Sequence, residues 1–150
     1  MTTGVDTFDS TVQETTLWLK AVEERLGGPD RRRAYGVTRA VLHALRDRIG
    51  PENASHLGAQ LPTLLRGVFY EGWHMAGTPS KERHMEEFLG RVRRDLPRAP
   101  DLDAEDATRA VIDVLWERID RGEAAKLAKL MPVELRKLWA GTSPKHQEAR

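Results

Sequence analysis

The sequence predicts an all-α protein, built as two tandem pseudo-symmetric four-helix repeats packed into one compact helical domain. Three observations carry this. Apolar residues recur at steps of three and four along most of the chain. No run alternates β-branched and polar residues as a half-buried strand would. The two halves also align without a gap at a shift of 70 residues. At that shift Thr38-Arg39-Ala40-Val41 recurs as Thr108-Arg109-Ala110-Val111, and Leu45, Arg48, Ile49, Leu57, Pro62 and Arg66 recur as Leu115, Arg118, Ile119, Leu127, Pro132 and Arg136.

The first helix is read from Phe8, Val12, Thr15, Leu19, Val22 and Leu26, one stripe down an amphipathic cylinder. Ser10 with Gln13 offers a capping box at its start, and Gly27-Gly28-Pro29 ends it. Ala34, Val37, Val41, Leu45 and Ile49 make the second helix. Two short helices follow near 52–61 and 62–71, with Pro62 in a first turn, where its missing N–H is harmless. In the second repeat Thr78 reads as a cap before Pro79, and Met85, Phe88, Leu89, Val92 and Leu96 continue the next stripe. Pro97-Arg98-Ala99-Pro100 breaks the chain, and Asp103 caps a sixth helix striped by Ala104, Ala107, Val111, Leu115 and Ile119. Short helices near 122–131 and 132–140 close the repeat, Pro132 matching Pro62, and Ala140 to Arg150 form a polar tail. The repeats run over about 8–77 and 78–147. Units of about 70 residues are marginal alone, so they are expected to pack on each other about a pseudo-twofold axis.

Composition narrows the function classes. The 24 basic residues are nearly balanced by 23 acidic ones, and each repeat carries a single excess base, so a dedicated polyanion binder is not expected. There is no cysteine, which excludes disulfides, thiolate catalysis and zinc-thiolate sites. The first residues lack the basic start and apolar run of a signal peptide, and no apolar run approaches the roughly 20 residues that span a bilayer. A cytoplasmic location without membrane or nucleic-acid contact is the resulting expectation. Catalytic signatures such as G-x-S-x-G, the P-loop, the dinucleotide fingerprint and H-E-x-x-H are missing. Ser80 stands four before His84, but serine just after a helix start is better explained by local hydrogen bonding.

The block Leu61-Pro62-x-x-Leu65-Arg66-Gly67-x-Phe69-Tyr70-Glu71-Gly72-Trp73, with Thr78-Pro79-x-Lys81-x-Arg83 and Glu86-Glu87-Phe88-Leu89, resembles the bacterial domain-of-unknown-function family 2267. The resemblance extends over roughly residues 8 to 140. It implies an all-α, duplicated, intracellular bacterial protein, and it implies no reaction, catalytic residue or cofactor.

Positions where the repeats disagree are the candidates for function. The largest break sets Tyr70-Glu71-Gly72-Trp73-His74 against Ala140-Gly141-Thr142-Ser143-Pro144. Tyr70, Glu71, Trp73 and His74, with Arg66, Lys81 and Arg83, could build a ligand or partner site; alternatively, the aromatics wedge between the repeats. Glu71-x-x-His74 and His84-x-x-Glu87 have metal-ligand spacing, yet only one Glu-x-x-His exists and Gly72 interrupts it, so no metal is expected. Arg31, Arg32 and Arg33 oppose the dipole at the start of the second helix, which makes them candidates for an anion or an acidic partner, or else a solvated charge run. The leading reading is a non-enzymatic helical interaction or self-association module with no cofactor, whose apolar patch would lie near Trp73 or Trp139. The alternative is a small-ligand or metal-binding protein with its site around Tyr70–His74.

Overall fold

The computed structural model describes residues 2–140; the tail from Gly141 onward, with His146, lies outside the described residues. The described residues form helices joined by loops, with no strand. The α-helices are α1 (Asp6–Leu26), α2 (Arg31–Ile49), α3 (Pro51–Ala59), α4 (Thr63–Tyr70), α5 (Met85–Asp95), α6 (Ala104–Arg118) and α7 (Arg121–Leu130). Short 3₁₀ turns occupy Met75–Gly77 and Leu135–Leu138. None of the helices is long and apolar enough to cross a membrane.

The two long central helices carry the core. Every residue of the expected stripes is buried, from Ala34 to Ile49 on α2 and from Ala104 to Ile119 on α6. Their alanines let helix axes approach closely while Val41, Leu45, Val111 and Leu115 fill the space between. Each fully buried Leu or Val contributes about 1.5–3 kcal/mol from apolar transfer.

Packing between the halves is reciprocal. α2 lies on α6, α1 lies on α6, α5 lies on α2, and α3 touches α7. Arg25 of α1 pairs with Asp113 and Glu117 of α6. Arg91 of α5 pairs with Asp47 of α2 at 2.6 Å. Asp47 and Glu117 are 70 residues apart, so each long helix receives an arginine from the other half at the same position. Backbone satisfaction recurs at the same offset. Thr38 donates to Ala34 O at 2.7 Å and Thr108 to Ala104 O at 2.8 Å. Arg66 donates to Gly58 O and Leu61 O, and Arg136 to Lys129 O and Met131 O. Both arginines satisfy carbonyls left orphaned where a short helix ends.

Asp103 caps α6 by accepting from Asp106 N at 3.0 Å, and Asp30 caps α2 from Arg33 N at 3.0 Å. Other boundaries differ from the sequence reading. α1 begins at Asp6 with Ser10 inside it, because Asp9, not Ser10, ties down the chain start by accepting from Thr3 N at 2.7 Å. The earlier start carries Phe8 and Val12 past the end of the core, leaving them 57% and 43% exposed instead of buried. No helix starts at Thr78-Pro79. The Thr78–Pro79 peptide is cis, and the following segment runs without helix to α5. Its backbone bonds to α2 instead: Ser80 N donates to Asp47 O at 2.7 Å, and Arg48 donates to Glu82 O at 2.8 Å. Ser80 and His84 therefore do not share a helical face. The eighth helix is reduced to the 3₁₀ turn Leu135–Leu138.

Candidate functional site

The segment after α4 was singled out because it breaks the internal match, and α2 holds it in place. A helix end leaves its last carbonyls without partners. Here side chains of α2 supply them. His43 Nε2 lies 2.7 Å from Val68 O, and Arg46 Nη1 donates to Phe69 O at 2.8 Å and to Glu71 O at 2.9 Å. Arg46 is only 4% exposed, and its Nε donates to Asp47 Oδ1 at 2.8 Å. A buried guanidinium needs such a set of acceptors, since an unpaired buried charge costs several kcal/mol. Trp73 covers it, with the guanidinium carbon 5.9 Å from the ring centroid.

Tyr70 and Trp73 stack at 5.5 Å, and the Tyr70 ring lies against Gly58 of α3, where a Cβ would collide with the phenol. The two rings thus pack on each other, on α3 and on the Arg46 guanidinium. Trp139 is 2% exposed and Trp73 is partly buried; the exposed large apolar side chains include Met75, two residues from Trp73, and at the start of α1 Val5, Phe8 and Val12.

Between this segment and α5 lies a cavity of about 350 Å³, bordered by Arg39, His43, Glu71, His74, Arg91 and Arg94. Its charges are largely committed to each other. Arg39 donates to Glu71 at 2.8 and 3.0 Å, which holds the Glu71 carboxyl below its ordinary value. Arg91 bridges Asp47 and Glu82. Burial would raise the Asp47 carboxyl, but hydrogen bonds from Arg46 and Arg91 outweigh it and keep Asp47 below the usual carboxylate range. Burial pushes the His43 imidazole below its ordinary value, assisted by the neighbouring Arg46 and Arg39 and opposed by its carbonyl bond and by Asp47.

The sequence-derived candidates do not converge on one place. Glu71 and His74 border the cavity, while Tyr70 and Trp73 are packed behind it. Arg66 faces the end of α3. Lys81 is exposed, and Arg83 points to a separate groove beside the Leu135–Leu138 turn. Glu87 accepts from Arg83 N and His84 N, so the His84-x-x-Glu87 spacing serves the start of α5. Among the described residues no group of three or more histidines and carboxylates could hold a metal. Arg31, Arg32 and Arg33 do open α2. Arg31 pairs with Glu23, and Arg33 reaches Asp101 at 3.1 Å and Leu26 O at 3.1 Å, closing the end of α1. Arg32 is exposed.

Sequence reasoning missed the network of Arg46, Asp47, Arg91 and Glu82. One signal for Arg46 was present: it aligns with Trp116, and a cation opposite a tryptophan marks a site handled differently in each half.

A family model described as "Uncharacterized conserved protein (DUF2267)" matches residues 15–138 and 97–150. Among curated proteins, none matches the chain.

Proposed function

The chain belongs to the DUF2267 family, and on that premise we propose that it is a non-enzymatic helical association module: a fused pseudo-dimer of repeats 8–77 and 78–147 that joins copies of itself through surfaces outside its core. The observation that carries this is the apolar face at the start of α1. Val5, Phe8 and Val12 follow one another at steps of three and four and are 45%, 57% and 43% exposed. Leu64, 46% exposed, lies beside them, its N–H donating to Thr11 Oγ1 at 2.8 Å. A cluster of large apolar groups on a well-formed helix is costly to leave in water, and such clusters mark association surfaces. The reciprocal packing of α1 on α6 and α5 on α2 supports the pseudo-dimer reading.

Sedimentation velocity over a concentration series tests the proposal. The wild type is expected to gain mass with concentration, and Phe8→Ser with Val12→Ser is expected to remove that gain without loss of helicity. A wild type that stays monomeric throughout refutes it. A second reading, a small ligand in the cavity beside Glu71, is favoured by the volume of about 350 Å³. Native mass spectrometry separates the two: a stoichiometric extra mass that Glu71→Gln removes supports the ligand, and a clean apo mass counts against it.

A further inference from the structure

The second half carries a groove of about 680 Å³ bordered by the end of α2, residues 83–84, the end of α7 and the Leu135–Leu138 turn. It is lined in part by exposed apolar side chains, Leu130 at 41% and Val133 at 74%. Its rim is basic: Arg48, Arg83, Arg136 and Lys137. None of these four lies within ion-pair distance of a carboxylate among the described residues. Arg48 and Arg136 donate to backbone carbonyls instead. Glu134 also lines the groove, but Met85 N at 2.8 Å and His84 at 3.1 Å already engage it, and Lys137 nearby favours its charged form. An occupant must therefore bring apolar side chains and negative charge together.

The chain itself owns such a segment. No lysine or arginine precedes Lys20, and the first turns of α1 set Asp6 and Asp9 beside the exposed face of Val5, Phe8 and Val12. The 70-residue offset shows why a helix suits the groove. In the first half, the start of α1 runs beside Leu64 at the front of α4. The counterpart of Leu64 is Glu134, and the counterpart of residues 6–14 is 76–84. That stretch is a 3₁₀ turn followed by non-helical chain, so only the first residue of α5, Met85, reaches Glu134, through its backbone N–H. The related hollow beside Leu61 and Pro62 is about 480 Å³, smaller than the groove beside Met131 and Pro132.

We propose that the N-terminal turns of α1 from one copy seat in this basic groove of a second copy. This rests on the self-association reading above and names its two faces. Phe8 and Val12 meet Leu130 and Val133, and Asp6 and Asp9 face Arg83 and Lys137. The two faces are different surfaces, so the contact is head-to-tail and builds rings or chains, not a closed twofold dimer.

Two charge-reversed variants test it by sedimentation. Arg83→Glu with Lys137→Glu spoils the groove, and Asp6→Lys with Asp9→Lys spoils the arm. Arg83, Lys137 and Asp6 are exposed, so the fold is expected to persist, with circular dichroism as the check. Each variant is expected to associate roughly tenfold or more weakly than the wild type, and wild-type association is expected to weaken as salt screens the charges. Mixed together, the two variants are expected to associate again with alternating partners, because the intact arm of one meets the intact groove of the other and the reversed arm meets the reversed groove. Should the arm variant unfold, the groove variant alone decides. Wild-type association unchanged by groove reversal overturns this assignment while leaving self-association standing. A monomeric wild type overturns both.

Discussion

Replacing Arg46 by methionine tests whether the segment after α4 is held by α2. Methionine keeps much of the volume and removes every donor. Three losses follow. Phe69 O, on a residue with no exposed surface, loses its 2.8 Å donor, and an unsatisfied buried carbonyl costs about 1–3 kcal/mol. Asp47 loses one of two arginine partners but keeps Arg91 at 2.6 Å, which limits that part to about 1 kcal/mol. The Trp73 ring loses its cation, about 0.5–1 kcal/mol. Glu71 O adds little, because Glu71 is exposed and water can replace the donor. The expected destabilisation is about 3–4 kcal/mol, near the range for breaking one partner of a buried pair. Urea denaturation followed by far-UV circular dichroism measures it as a lower midpoint at unchanged slope. Tryptophan fluorescence is expected to change as well, since Trp73 loses its cover. A loss below about 1 kcal/mol would refute the reasoning, for it would mean that water already satisfies these carbonyls.

Stability should fall with acidity from just below the ordinary histidine value. The folded state holds His43 neutral with a lowered pKa, so below about pH 6.5 the unfolded chain binds the extra proton first. The loss approaches about 1.4 kcal/mol per pH unit at most until the folded pKa is reached, and His43→Gln is expected to flatten this part of a denaturation-versus-pH series. Asp47 adds a second decline at lower pH, as acidity passes its depressed folded value; Asp47→Asn removes it. Gly58→Ala is expected to destabilise by about 1–2 kcal/mol in thermal or urea melts, because overpacking against the Tyr70 ring, Cζ only 2.7 Å from the new methyl, outweighs the gain in helix propensity. Glu71→Gln is expected to leave the urea midpoint unchanged, since both Glu71 and its ion pair with Arg39 are largely exposed; a clear drop would make Glu71 a structural carboxylate after all.

The all-α class and the central helices were legible because burial there depends only on period. Every residue of the Ala34–Ile49 and Ala104–Ile119 stripes sits inside, as spacing alone requires. Periodicity does not report where a helix stops having neighbours. Phe8 and Val12 continue the α1 stripe faultlessly and still lie in water, because the first turns of α1 run past the end of the core. The Thr78-Pro79 misreading has the same root. Cap and proline chemistry is local, whereas the bonds from Ser80 to Asp47 and from Arg48 to Glu82 that tie the segment to α2 come from residues more than thirty positions away. The polar site was hidden for a related reason. Asp47, Glu82 and Arg91 look like ordinary surface charges in sequence and become a network only when α5 packs on α2.

Arginine use ties these findings together. Arg33 closes the end of α1, Arg66 the end of α3, Arg46 the end of α4 and Arg136 the end of α7, each by donating to carbonyls that a terminating helix leaves unpaired. Arg109 does the same for the Leu135–Leu138 turn through Lys137 O at 2.9 Å. Its counterpart Arg39 instead pairs with Glu71, because His43 and Arg46 have taken over the carbonyls in the first half. At the place of Arg46 the second half has Trp116, packed edge-on against Trp139 at 6.1 Å. One half therefore closes this end with a buried cation and the other with an aromatic pair. Much of the basic complement is spent inside the fold, which is why a chain rich in arginine needs no polyanion partner to explain it. Among the described residues neither Arg83 nor Lys137 forms an ion pair within 4 Å, although Lys137 lies near enough to Glu134 to favour its charged form, and both stand on the rim of the groove where the acidic start of α1 from another copy would find them.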